Sequence, residues 1–180
     1  GMYQNVLVIG AESLSNLVDW KDRSTCILFG DGAGAVVLRV EEGESYQMVT
    51  HSDGSKGEAL TCDTGSFMKM DGQEVFKFAA RQVPACITEV VEHNHLMVED
   101  IDYFILHQAN RRIVEAVAKR MKVELTKFPM NLQEYGNTSS ASIPLLLDEM
   151  NREGRLKKGQ KLVLAGFGAG LSWGASLLEW

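Results

Sequence analysis

Three apolar runs fall within the first forty residues of the chain, and no helix of useful length lies among them. Val6-Leu7-Val8-Ile9 ends at Gly10, Thr25-Cys26-Ile27-Leu28-Phe29 precedes a glycine-rich stretch, and Ala35-Val36-Val37-Leu38-Arg39-Val40 follows it. Continuous apolar runs of this length mark strands buried on both faces, where sheet neighbours take the backbone bonds and other layers cover the sides. Between the second and third runs, Gly30-Asp31-Gly32-Ala33-Gly34 gives the backbone freedom for a tight reversal, which predicts a hairpin or a bulged return. Such a fragment has both faces bare, so the expectation is that part of the same domain lies upstream. Gly1 ahead of Met2 fits either a cleaved tag or a cut in a longer natural chain.

Beyond these strands, the polar stretch EEGESYQ at 41–47 breaks the pattern and places an internal boundary near Gly43, with 1–43 as the end of one unit and 44–180 as the next. Gln47-Met48-Val49-Thr50 predicts a strand, and residues 51 to 70 a long loop that holds His51. Val75, Phe76, Ala79, Val83, Ile87, Val90 and Val91 recur at three and four residues, which predicts a helix over 73–96. Pro84 has no N–H to donate, so it must kink that helix or open a new first turn. Residues 102–106 predict a strand, and the helix after it carries Ile113, Val117 and Met121 as one apolar stripe. Asn137-Thr138-Ser139-Ser140 offers N-cap candidates for a helix over 143–152, with Pro144 tolerated in its first turn and Gly154 beyond its end. Strands at 161–165 and 171–180 flank a glycine turn, Gly166-Phe167-Gly168-Ala169-Gly170. The order predicts a layered α/β or α+β sheet covered by helices.

At 180 residues the chain suits one globular domain with a real core. No apolar run approaches the ~20 residues of a membrane span, and the start lacks the basic and apolar segments of a signal peptide, so a cytoplasmic location is expected. The net charge of −6 disfavours nucleic-acid binding, which needs a basic face. One stretch runs against that balance: RRIVEAVAKRMK holds Arg111, Arg112, Lys119, Arg120 and Lys122 against Glu115 alone. It is either a solvated helix face or a docking surface for an acidic or phosphorylated partner. Cys26, Cys62 and Cys86 have no metal or redox spacing and read as reduced thiols.

Both glycine clusters, GFGAG and FGDGAG, lead into strands, whereas a dinucleotide fingerprint must open a helix, so neither predicts a nucleotide loop. His93 and His95 sit two apart at a helix end and would point in different directions, so no metal site is expected. His107 differs, because it stands where an apolar strand hands over to a helix, and the carboxyl ends of strands are where ligands collect in α/β sheets. Asn137 precedes the next helix at a turn that Gly136 opens. Taken singly, a core histidine and a capping asparagine explain both residues.

The strings LHQANRRI, YGNTSSASIP and GFGAGLSWG, with FGDGAGAVVL upstream, resemble the condensing enzymes of the thiolase superfamily, most closely the 3-oxoacyl-[acyl carrier protein] synthase III family. The resemblance covers essentially the whole chain. It implies a thiolase-like α/β fold, a mixed sheet covered by helices, of which this chain holds the carboxyl-terminal half and the last strands of the amino-terminal half. It also implies His107 and Asn137 as two members of a Cys-His-Asn triad whose cysteine lies upstream, since none of Cys26, Cys62 and Cys86 has that nucleophile's small-residue setting. The implied reaction starts fatty acid chains by decarboxylative condensation of an acyl-coenzyme A with malonyl-[acyl carrier protein], with no cofactor beyond the coenzyme A thioester that serves as substrate.

By the same resemblance, the amides of Gly168, Ala169 and Gly170 are oxyanion-hole candidates, with Ala169 standing where the family usually has a glycine and a positive φ there being costly. Arg23, Gly72, Phe76, Asn110 and Arg112 would line the coenzyme A entry, and Lys77, Arg112, Lys119 and Arg120 would dock the acidic carrier protein. Family members are homodimers. Three rivals stand beside this reading: a relative condensing other acyl groups for secondary metabolism, a non-catalytic half that only binds carrier protein or coenzyme A, and a cysteine hydrolase using Cys62 with His107.

Overall fold

A computed structural model describes residues 3–42 and 46–180, so the boundary expected near Gly43 lies outside the described residues. The strands are β1 (Asn5–Glu12), β2 (Gly32–Arg39), β3 (Met48–Ser52), β4 (Leu60–Thr61), β5 (Lys69–Met70), β6 (Tyr103–Leu106), β7 (Lys161–Gly168) and β8 (Ser172–Glu179). The helices are α1 (Gly72–His93), α2 (Arg111–Met121), α3 (Leu132–Tyr135) and α4 (Ser142–Arg152). Among the described residues, no helix is long and apolar enough to cross a membrane.

The main sheet has the order β3-β8-β7-β6, with β6 parallel to β7 and the other pairs antiparallel. Side chains alternate across a strand, and the parallel pair β6 and β7 shows it plainly. Phe104 and Leu106 of β6 and Val163 and Ala165 of β7 pack with buried residues of α1 and α2, while Ile105 and Leu162 pack with Leu146, Leu147 and Met150 of α4. Helices on both faces explain why apolar side chains on these strands point to both faces rather than to one.

β1 and β2 form a separate antiparallel pair, with Val8 opposite Val36. The expectation that both its faces lie bare is half right. Val36 packs into the α4 cluster, and Gly10 and Gly34 lie so close to the α4 entry that a Cβ at Gly10 would come within 2.5 Å of the Ser140 carbonyl oxygen. The other face stays open, with Leu7, Ile9 and Val37 60 to 70% exposed.

Several local expectations are corrected. Residues 25–28 are not a strand but successive turns, with Phe29 in a single bridge, because the Asp22 carboxylate accepts from Ser24 and Thr25 and the Asp22 carbonyl accepts from the amides of Thr25 and Cys26. An Asx turn of this kind out-competes the extended form that the β-branched residues favour. Gly32 and Gly34 therefore close no hairpin; they belong to β2, where the missing side chains admit α4. His51 lies on β3 rather than in a loop, its ring stacked on Trp173 and its Nε2 2.7 Å from Glu89. α1 runs unbroken through Pro84, which opens no new helix. The chain enters α4 through a 3-10 turn at Ser139–Ala141, so the N-cap is Ala141 with no side-chain bond, and none of residues 137–140 caps the helix. Gly166–Gly168 extend β7, and the reversal is confined to residues 169–171, where Gly170 takes φ +128 and Ala169 is spared a positive φ.

Gly34 tests the fit of α4 on β2. A Cβ at 34 would lie 2.9 Å from the Pro144 Cβ and 3.0 Å from the Leu145 nitrogen. In the intact protein, Gly34→Ala should cost about 1 to 3 kcal/mol by urea denaturation. Gly54→Ala, with nothing within 4 Å, should stay within about 0.5 kcal/mol.

Candidate active site

A cleft of about 1180 Å³ opens beyond the carboxyl ends of β6 and β7. Its wall takes His107 from the end of β6, Phe167 and Gly168 from β7, Gly72 and Phe76 from α1, and Asn110 and Arg112 from the start of α2, with Asn137 completing it from the loop ahead of α4. The carboxyl edge of an α/β sheet is where such a site is expected.

His107 is the first residue past β6, and its N–H continues the ladder by donating to the Ala165 carbonyl at 2.8 Å. Phe167 on the neighbouring strand sets the edge of the imidazole against its own ring, centroids 5.2 Å apart. Nδ1 lies 2.7 Å from Ser142 Oγ, at the first residue of α4. No buried polar side-chain atom among the described residues lacks a hydrogen-bond partner, and Nε2 has none, so Nε2 opens onto the cleft. Although that edge reaches the cleft, the rest of the ring is enclosed, and burial pushes its pKa down to about 4. The imidazole is neutral at pH 7.

Asn137 is held by its backbone. Its N–H donates to the Leu28 carbonyl at 2.8 Å and its carbonyl accepts from Gly30 at 2.9 Å, making a single parallel bridge opposite Phe29. Gly136 turns the chain into this bridge at φ +68, and a Cβ there would meet the Leu28 carbonyl oxygen at 2.9 Å. A Cβ at Gly30 would likewise run into the Tyr135 carbonyl oxygen. The side-chain Oδ1 accepts from the N–H of Ser139, at 3.0 Å, and Ser139 takes φ +48. With the oxygen occupied, the amide NH₂ is the end left for a ligand.

The remaining candidates divide. Asn110 caps α2 by accepting from the Arg112 amide at 2.9 Å, and the Arg112 guanidinium lies over the Phe76 ring, 5.5 Å from its centre. Lys77 lines the cleft but is paired with Glu74, which also holds Lys56, and the two ammonium groups draw the half-buried Glu74 carboxyl down to about 2. Of the glycine-turn amides only Gly168 lines the cleft, since Ala169 and Gly170 are exposed on the reversal beyond it. Arg23, Lys119 and Arg120 are exposed and lie outside the cleft wall.

Sequence reasoning passed over Ser142, Phe167 and Gln108. Gln108 is almost wholly buried, donating from its side chain to the Leu106 carbonyl and accepting from the Asn131 amide. The three serines of NTSSAS, Ser139, Ser140 and Ser142, carry no mark of which one reaches the histidine. The alternation of β7, carried two residues further, would have placed Phe167 on the same face as Val163 and Ala165.

The depressed pKa of His107 ties stability to pH. The folded chain binds that proton only near pH 4, the unfolded chain near 6.5, so the unfolded state gains as pH falls through this window. In the intact protein, the stability lost between pH 7 and pH 4.5 should be smaller in His107→Gln than in the unmodified protein by about 2 to 3 kcal/mol, measured by urea titration at both pH values. Equal losses would contradict a buried neutral ring.

Residues 91–180 match the family described as 3-oxoacyl-[acyl-carrier-protein (ACP)] synthase III C terminal, and residues 1–57 match 3-oxoacyl-[acyl-carrier-protein (ACP)] synthase III. The beta-ketoacyl-[acyl-carrier-protein] synthase III of Clostridium novyi is 48% identical over all of this chain and 60% of its own length. The crystal structure of 3-oxoacyl-[acyl-carrier-protein] synthase III from Aquifex aeolicus VF5 superposes with a TM-score of 0.94 at 45% identity, over 98% of this chain and 58% of that one. The priming beta-ketosynthase of the R1128 polyketide biosynthetic pathway superposes at 0.89 with 34% identity, over 98% and 57%. The chain thus spans about 60% of the length of the curated relatives it matches. With this thiolase-like fold, and with both halves of the family signature in register along it, the chain belongs to the 3-oxoacyl-[acyl-carrier-protein] synthase III family.

Proposed function

We propose that this chain supplies the decarboxylating side of a condensing site that joins an acyl-coenzyme A to malonyl-[acyl carrier protein] and so starts fatty acid chains. The observation that carries this reading is the meeting of two uncharged donors on one cleft, a neutral His107 and the amide NH₂ of Asn137. In the first stage a cysteine thiolate displaces coenzyme A from the acyl thioester. In the second, malonyl thioester loses CO₂, the electron pair moves onto the thioester oxygen as an enolate, and its α-carbon attacks the acyl-cysteine, whose carbon–sulfur bond breaks to give the 3-oxoacyl thioester and the cysteine thiolate.

Neutral donors suit the second stage. They stabilise the developing oxyanion without offering an acidic proton that would quench the carbanion. None of the three cysteines fits the first stage, because none lines the cleft. Cys86 is buried in α1 with its thiol pushed up to about 11, Cys26 is half-buried in a turn, and Cys62 is an exposed loop residue. The nucleophile is therefore assigned to a cysteine other than these, which sets aside a Cys62 hydrolase and leaves these 180 residues a binding and decarboxylating half.

Gly72, Phe76, Asn110 and Arg112 along one wall suit the pantetheine arm and nucleotide of coenzyme A, with Arg23 further out. Lys119 and Arg120 are exposed and absent from the ion pairs of the described residues, so with Arg112 they offer the acidic carrier protein its least neutralised charge, more than Lys77 does. A homodimer and a cytoplasmic location complete the reading. The polyketide priming synthase among the structural relatives favours one alternative, a condensing enzyme of secondary metabolism with the same donors and another acyl group.

Two measurements on the intact protein test the roles. His107→Ala and Asn137→Ala should each slow malonyl-carrier protein decarboxylation by about 10² to 10³ while slowing acyl loading less. Equal loss in both half-reactions would count against the division. Lys119→Glu combined with Arg120→Glu should raise KM for malonyl-carrier protein and leave KM for acyl-coenzyme A unchanged; two unchanged constants would return the island to a solvated face.

A further inference from the structure

We infer that Ser142 is a positioning residue, which fixes His107 in the Nε2–H tautomer and so decides that the imidazole meets the cleft as a donor. This rests on the functional reading of His107 above. Ser142 is 2% exposed, and its Oγ has two polar neighbours, His107 Nδ1 at 2.7 Å and the Gln108 backbone nitrogen at 3.3 Å. The Gln108 N–H can only donate, so it takes a lone pair of Oγ.

Two assignments of the remaining proton are open in principle. If Nδ1 carried a hydrogen, Oγ would accept from both neighbours and the serine proton would point into a buried site with no acceptor. An unmet buried hydroxyl of that kind is costly, because the group gives up its bonds to water and gains none in return. If instead the serine O–H donates to a bare Nδ1, every group in the cluster is satisfied and the ring hydrogen must sit on Nε2, which faces the cleft. The second arrangement wins on that count alone.

The surroundings are built to hold Oγ still. The Gln108 side chain is anchored to the Leu106 carbonyl at 2.8 Å and to the Asn131 amide at 3.2 Å, and Asn131 in turn donates to Glu149 on α4, at 2.9 Å. β6 and α4, the two elements that carry His107 and Ser142, are thus tied together below the contact they make at the cleft.

The test needs a spectroscopic readout that a merely structural role would not move. With histidine ring nitrogens labelled with ¹⁵N in the intact protein, long-range proton–nitrogen correlation at pH 7 should show His107 protonated on Nε2 and bare on Nδ1, the signals being assigned by their loss in His107→Ala. Ser142→Ala should turn this into a mixture of tautomers and slow decarboxylation about 10- to 100-fold, with Ser142→Thr, which keeps the hydroxyl, recovering the pattern. A protonated Nδ1 in the unmodified protein would overturn the inference without any variant, and so would a spectrum that Ser142→Ala leaves unchanged. A full decarboxylation rate in His107→Ala would instead overturn the functional reading, and the positioning role with it, whatever the tautomer.

Discussion

The parallel pairing of β6 with β7 is the constraint on which the rest depends. It runs from Tyr103 opposite Leu162 to Leu106 opposite Ala165, and its last rung is the His107 N–H on the Ala165 carbonyl. Parallel strands are stable only when both faces are covered, so α1 and α2 on one side and α4 on the other are requirements of the pair. The same rung fixes where the strand stops and the imidazole begins. A histidine one residue earlier would be buried in the core, and one residue later it would fall where Gln108 is enclosed.

α4 carries more of the architecture than its 11 residues suggest. Its apolar side closes the back of the main sheet through Leu146, Leu147 and Met150, while Pro144 and Leu145 meet the glycines of β2. Its first residue bonds the catalytic candidate His107, and the loop leading into it holds Asn137. One helix therefore joins the main sheet to the β1–β2 pair and sets the spacing between His107 and Asn137. Glycine at positions 10, 30, 34 and 136 is what lets backbone approach backbone at this junction, since a Cβ at any of them would contact main chain at the α4 entry or the bridge opposite it.

Much of this was legible before any coordinates. Unbroken apolar runs gave β6 and the core of β7, three-and-four periodicity gave α1 and α2, and the position of His107 at a strand end marked it as a candidate. What misled was local composition read without its competitor. Residues 25–29 have the composition of a strand, yet a single carboxylate at Asp22 winds 25–28 into turns. The glycines of β2 have the composition of a reversal, yet they serve a helix that lies more than a hundred residues on. The serine that touches His107 was invisible for the same reason, because its partner is set by the crossing of β6 and α4 and leaves no trace in the residues beside it.

The electrostatics of the site follow from burial more than from charge. Among the described residues no acidic side chain bonds the His107 ring, and its proton affinity is set by enclosure against Phe167 and the start of α4. A carboxylate partner would have favoured imidazolium, and an imidazolium beside a forming carbanion would give up its proton. A buried hydroxyl holds the ring just as firmly while leaving it neutral. Lys119 and Arg120, at the end of α2, are exposed and lie outside the cleft wall. One short helix, α2, thus begins at the cleft beside Asn110 and ends in exposed cationic side chains outside it, the surface proposed above for the carrier protein.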